Sequence, residues 1–229
     1  MNVKQTVKET SSVNVLGIIM FYFPKIAFKH YTLLALAELM KLEDAKELWN
    51  KTLAQQKKLA LNRPHYSLGT NHLLRYMEWD CALYLAAQEH GLAQSSAKEL
   101  IEKINWSIFG SANQAVFYIS RLRSSQLLTR IGWIIDLMFL LIFTAPFQYH
   151  KHNNSNEVAF DVTLCPLANY FKEQNVPELT VSAACSLDNH MANLWGVTLT
   201  RPQTIAQNHP LCEFHFRPKL VNLESSKQK

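Results

Sequence analysis

Three of the chain's four cysteines, Cys165, Cys185 and Cys212, fall in one C-terminal stretch that also holds Asp188, His190, Arg201, His209, Glu213 and His215. Cys185 opens the unit CSLD at the expected start of a helix. A helix N-terminus favours negative charge, so a thiolate there is expected to be stabilised and nucleophilic. Asp188 and Asn189 follow three and four residues on and share its face. Asp188 is then placed to move a proton. The plain alternatives are a cysteine packed as a small hydrophobe and an aspartate that merely complements the helix dipole.

The other candidates carry supporting chemistry. Arg201 ends an expected strand, and its guanidinium fork suits a carboxylate. Thr198 and Thr200 could add hydroxyl contacts. Cys165 ends a strand just before Pro166, where a side chain can point into a cleft at the sheet edge. Cys212 alternates with Phe214 and Phe216, which argues for packing. Glu213 and His215 fall on the opposite face of that strand. They are an acid–base pair if that face lines a pocket, and a solvated cross-strand pair otherwise. The three cysteines lie 20 and 27 residues apart, which fits no compact zinc motif, so no metal and no cofactor is expected.

These residues must be positioned by a chain of 229 residues, enough for one compact unit with a sizeable core. Hydrophobic residues make up 48% and charged residues 18%, a globular composition. The net charge of +5 is mild and its Lys and Arg are scattered, which excludes the clustered footprint of a nucleic-acid binder. It fits small anionic ligands better. Unpaired cysteines and a polar N-terminus without a secretory pattern point to the cytoplasm. The run Ile131 to Ala145 is broken by Asp136, ends at Pro146 and falls short of the roughly 20 apolar residues of a span. It reads as a buried helix, and no stable membrane insertion is expected. The aromatic run Phe21 to Phe28 is compatible with a homodimer.

Residues 1–12 and 220–229 read as flexible tails, 13–145 as a helical part and 146–219 as an α+β part. In the helical part Pro24 breaks or kinks the chain. One amphipathic helix is expected from Tyr31 to Asn50, with Ala35, Leu39, Leu42, Ala45 and Trp49 on its buried stripe, continuing to Leu61. Further helices are expected at Leu73–His90, at Ser95 or Ser96 through Ile104 with Glu99 in a capping box, at Ala112–Arg123 and at Ser124–Phe143. Strands follow at Phe147–Lys151 and Val158–Leu164. A helix then starts at Pro166, and a second runs from Ala183 to Trp195 and is closed by Gly196. The last strands are Val197–Arg201 and Leu211–Phe216. The fold class is α+β, a helix-rich N-terminal half packed on a small antiparallel sheet with inserted helices.

The segments FDVTLCPLANYF, CSLDNHMANLWGVTLTRPQTIA and CEFHF, in that order, resemble the L-2-amino-thiazoline-4-carboxylic acid hydrolase family. A fainter likeness to vinyl-reductase-type ligand-binding domains rests on the last strand alone. The family resemblance implies hydrolysis of a small cyclic amidine carrying a carboxylate, with 2-aminothiazoline-4-carboxylate opened to N-carbamoyl-cysteine. On that implication Cys185 attacks the ring carbon or positions water to attack it, Asp188 with Glu213 or His215 moves protons, and Arg201 holds the carboxylate. Thr198, Thr200, Cys165 and Asn189 complete the contacts. The alternatives are a non-catalytic ligand-binding or biosynthetic accessory protein on the same scaffold, or an enzyme for another small carboxylate.

Overall fold

The computed structural model describes residues 22–219. The expected tails, and most of the apolar run before Pro24, lie outside them. Among the described residues there are seven α-helices and four strands. The helices come first: α1 (Pro24–Ala37), α2 (Leu42–Ala60), α3 (Leu68–Glu89), α4 (Gln94–Ile119) and α5 (Leu127–Leu141). The α+β part follows as β1 (Gln148–His152), β2 (Val158–Leu164), α6 (Pro166–Glu173), a π turn (Val181–Cys185), α7 (Ser186–Trp195), β3 (Val197–Thr200) and β4 (Cys212–Pro218).

The helical half departs from expectation at its boundaries. Pro24 does not break a helix but starts α1, where its missing N–H costs nothing. The single helix expected from Tyr31 to Asn50 is two, because Lys41 is extended and Glu43 and Asp44 open a new first turn where the helix dipole favours them. Leu39 and Leu42, expected on the buried stripe, flank this break and stand exposed. The two helices expected between Ser95 and Arg123 are one. Ala97, Leu100, Ile101, Ile104 and Ile108 keep one buried stripe through it, and no side chain caps its start, so Glu99 forms no capping box. Phe28 is buried in the core while Tyr22, Phe23 and Ile26 are exposed, which divides the aromatic run.

The start of α3 is fixed against the end of α5 at close range. A Cβ on Gly69 would lie 2.3 Å from the Leu141 carbonyl, and Thr70 Oγ1 donates to the Thr144 carbonyl at 2.6 Å. Gly91 then closes α3 with φ +89°, the left-handed geometry that glycine adopts without strain.

The sheet is antiparallel in the order β1-β2-β4-β3. Its strands follow the alternation read from the sequence. Phe160, Val162, Cys212, Phe214 and Phe216 face inward beneath Ile131, Ile134 and Ile135 of α5 and Met191, Ala192 and Trp195 of α7. A second, larger core lies among α1 to α4 and takes in Tyr170, Phe171 and Ala183. Cys165 packs against both cores, so the seam between the helical half and the sheet passes beside it.

Candidate functional site

Several candidates meet at that seam. Cys165 is the residue before α6, held extended by Pro166 at the first helical position. Asp188 lies in the first turn of α7, and Arg201 follows β3. Arg201 Nη1 donates to Asp188 Oδ2 at 2.5 Å, and its Nη2 donates to the Cys185 backbone carbonyl at 3.2 Å. The guanidinium also lies 5.3 Å from the centre of the Phe214 ring. Both members of the ion pair keep a little solvent access, at 13% for Arg201 and 20% for Asp188. Cys185 interacts electrostatically with Asp188, Arg201, Cys165 and Cys212, so all three C-terminal thiols share the surroundings of this one ion pair.

The electrostatics reverse the expectation for Cys185. The residue does not open a helix. Helix begins at Leu179, passes through the π turn Val181–Cys185 and continues as α7. Cys185 itself has helical angles, φ −68° and ψ −28°. No open N-terminus is present to stabilise a thiolate. Burial, followed by the nearby Asp188 charge, pushes the Cys185 thiol far above the ordinary value, and Arg201 only partly opposes this. Burial likewise pushes Cys165 up to about 11, although backbone N–H groups of Ala168 and Leu167 favour its thiolate. Cys212 is raised by burial as well, against an N–H from Ile205 that reaches its sulfur at 3.2 Å. Asp188 is raised to about 6, because burial outweighs the Arg201 charge and hydrogen bond. At neutral pH the site therefore holds protonated thiols around a carboxylate poised to exchange a proton.

The remaining candidates are placed elsewhere. Glu213 and His215 occupy the outer face of β4, away from Phe214 and Cys212. His215 Nε2 lies 2.8 Å from Glu213 Oε1, and its Nδ1 lies 3.2 Å from Glu157 Oε1, an ion pair not aligned as a hydrogen bond. Glu213 first, and Glu157 after it, hold the His215 imidazolium above its ordinary range. Thr198 and Thr200 sit opposite Arg217 and His215 on that same outer face and are exposed. Asn189 is exposed on α7. Strand alternation thus separates Thr198, Thr200, Glu213 and His215 from the Cys185 side of the sheet. His190 stacks on Trp106 at 4.8 Å and pairs with Glu102 at 2.9 Å.

Two features carry no motif in the sequence. One is a buried polar link behind the π turn. Asn105 of α4 donates from Nδ2 to Asp80 Oδ2 at 2.9 Å and to the Ala183 carbonyl at 3.0 Å, and both side chains are fully buried. Burial raises Asp80 well above the usual carboxyl range, against the Asn105 hydrogen bond. A charged residue type inside α3, where Met77, Trp79, Cys81, Ala82 and Leu83 are all buried around it, is the signal that marks it. The other is a cleft of about 230 Å³ between α6, Thr180 and the loop after β3. Its walls include Asn169, Lys172, Thr180, Ile205 and His209. No group of three or more His, Cys, Asp or Glu side chains able to hold a metal occurs among the described residues. No described helix is long and apolar enough to cross a membrane.

Residues 135–216, from within α5 into β4, match the family model described as L-2-amino-thiazoline-4-carboxylic acid hydrolase. The resemblance read from the C-terminal segments is thus borne out for that region. Comparison with curated proteins finds no match.

Proposed function

We propose that this chain is a hydrolase that opens a thiazoline-type ring bearing a carboxylate, with Cys185, Asp188 and Arg201 as the reacting centre. The observation that carries the reading is the Asp188–Arg201 pair at 2.5 Å beside the Cys185 carbonyl, inside the region that matches the hydrolase family. A carboxylate with its pKa raised to about 6 is well matched to general base work near neutrality.

The balanced sequence has two halves. Cys185 Sγ adds to the ring carbon between nitrogen and sulfur, and its proton passes to Asp188. The bond from that carbon to the ring sulfur breaks, and the departing sulfur takes the proton from Asp188 as a free thiol. Water then adds to the carbon held on Cys185, again giving a proton to Asp188. The carbon–Cys185 bond breaks, and the enzyme sulfur recovers that proton. The net change is addition of one water and release of an N-carbamoyl amino thiol. Arg201 keeps Asp188 oriented and steadies charge at the reacting carbon.

A second reading assigns water itself as the nucleophile, activated by Asp188. Its support is the burial that holds the Cys185 thiol protonated. Assay of purified protein with 2-aminothiazoline-4-carboxylate separates the two. With Cys185 as nucleophile, Cys185→Ala abolishes thiol release, and wild-type protein quenched during turnover carries the opened substrate on Cys185 by intact mass. Activity surviving in Cys185→Ala assigns the attack to water. Binding without turnover in the wild type sinks the hydrolase reading and leaves an accessory binding protein.

A further inference from the structure

We propose that the cleft between α6 and the loop after β3 is the anion subsite, and that Lys172, assisted by His209, receives the carboxylate of the ligand. This rests on the hydrolase reading for the ligand's identity, but the subsite is defined by its own geometry.

Arg201 is the guanidinium that the sequence offers for a carboxylate, and it already faces one. Its two terminal nitrogens are committed to Asp188 and to the Cys185 carbonyl. A ligand carboxylate drawn to Arg201 would sit beside Asp188 and meet like charge there. The cleft offers the opposite balance. None of its lining residues is acidic, while Lys172 on α6 and His209 on the loop both face it, and Asn169 and Asn208 add amide groups. Among the described residues Lys172 has no ion-pair partner. A lysine on the wall of a cleft without a counter-charge leaves its ammonium open to an anion from solution. A volume of about 230 Å³ suits a single small ring rather than a larger cofactor.

The cleft is also tied to the sulfur cluster through its walls. The backbone N–H of Ala168 approaches Cys165, and that of Ile205 reaches Cys212 Sγ at 3.2 Å. Thr180 lies one π turn before Cys185 on the same helix. The cleft thus adjoins the seam that holds Cys185 and Asp188, although neither residue lines it.

The test uses the full chain and two probes, 2-aminothiazoline-4-carboxylate and the carboxylate-free 2-amino-2-thiazoline. Calorimetric titration is done with Cys185→Ala, or with the double variant Cys185→Ala/Asp188→Asn where Cys185→Ala still releases thiol, so that the ligand stays intact, and thiol release is followed in parallel with Cys185 present. Lys172→Met is expected to weaken binding of the carboxylate probe roughly 10- to 100-fold, and Lys172→Arg to restore most of it. The carboxylate-free probe is expected to bind weakly and without regard to Lys172. Rising salt should weaken the carboxylate probe less in Lys172→Met than in the Lys172 protein. Unchanged affinity for the carboxylate probe in Lys172→Met overturns the subsite, as does failure of that probe to bind the Lys172 protein. Lys172-dependent binding with no thiol release from the Cys185 protein upholds the subsite and refutes the hydrolase reading. Thiol release with a KM indifferent to Lys172 does the reverse.

Discussion

Replacing Asn105 with leucine removes a side chain that joins three elements, and the structure sets the size of the effect. Asn105 Nδ2 supplies the donor for Asp80 Oδ2 on α3 and for the Ala183 carbonyl in the π turn, at 2.9 and 3.0 Å. Both acceptors are buried beyond the reach of water. Each abandoned acceptor costs about 1–3 kcal/mol, so Asn105→Leu should lose about 2–6 kcal/mol of folding stability. The consequence extends to the proposed reacting centre. A π turn carries its surplus residue only while its carbonyls find partners, and closing it to α geometry would turn one flank about 100° against the other. The Cys185 end of the turn would then lose its setting beside Asp188 and Arg201. Urea midpoints give the stability change, and the rate of maleimide labelling at Cys185 gives the local one, with faster labelling expected. A stability change below about 0.5 kcal/mol together with unchanged labelling would refute the reasoning.

Asp80→Asn should behave differently. Folding raises the carboxyl above its ordinary value, so the wild type loses stability as pH climbs from the ordinary carboxyl range towards Asp80's own titration. An amide can still accept from Asn105 and does not ionise. The variant should therefore match the wild type in urea melts near pH 4 and gain on it towards pH 8, and a pH-independent difference would count against a raised Asp80 carboxyl. Arg63→Met strands Glu78, which is fully buried and bound by Arg63 Nε and Nη2 at 2.7 and 2.6 Å. About 3–5 kcal/mol should be lost in the same melts, towards the low end because Gln56 keeps its 2.6 Å bond to Glu78. Gly69→Ala forces a methyl against the Leu141 and Ile142 backbone and should lower the urea midpoint by at least about 1–3 kcal/mol of stability.

The sheet was the legible part of the fold. Cys212, Phe214 and Phe216 alternate cleanly, Val158, Phe160 and Val162 keep the same period although Ala159 between them is buried too, and Gly196 marks the turn out of α7. That alternation also decides the outer face, where Glu213 and His215 meet Glu157 rather than the cysteines. Helix boundaries were less legible. The apolar phase of α1 carries on past Glu38 into α2, although a turn over residues 38–41, ending at the extended Lys41, separates them. The meeting of the three thiols around one ion pair is a tertiary fact, since spacings of 20 and 27 residues say nothing of distance in space. The π turn is equally silent, because VSAAC contains neither proline nor glycine and its surplus residue shows only against Asn105.

The proposed reacting centre is tested most directly by the pH dependence of thiol release from 2-aminothiazoline-4-carboxylate. Asp188 must be ionised to accept a proton, so kcat/KM should fall as pH drops through about 6. Asp188→Asn should lower the rate roughly 10²- to 10⁴-fold and remove that limb. A wild-type profile flat through pH 6, or an unchanged limb and rate in Asp188→Asn, would contradict the assignment of Asp188 as the proton carrier.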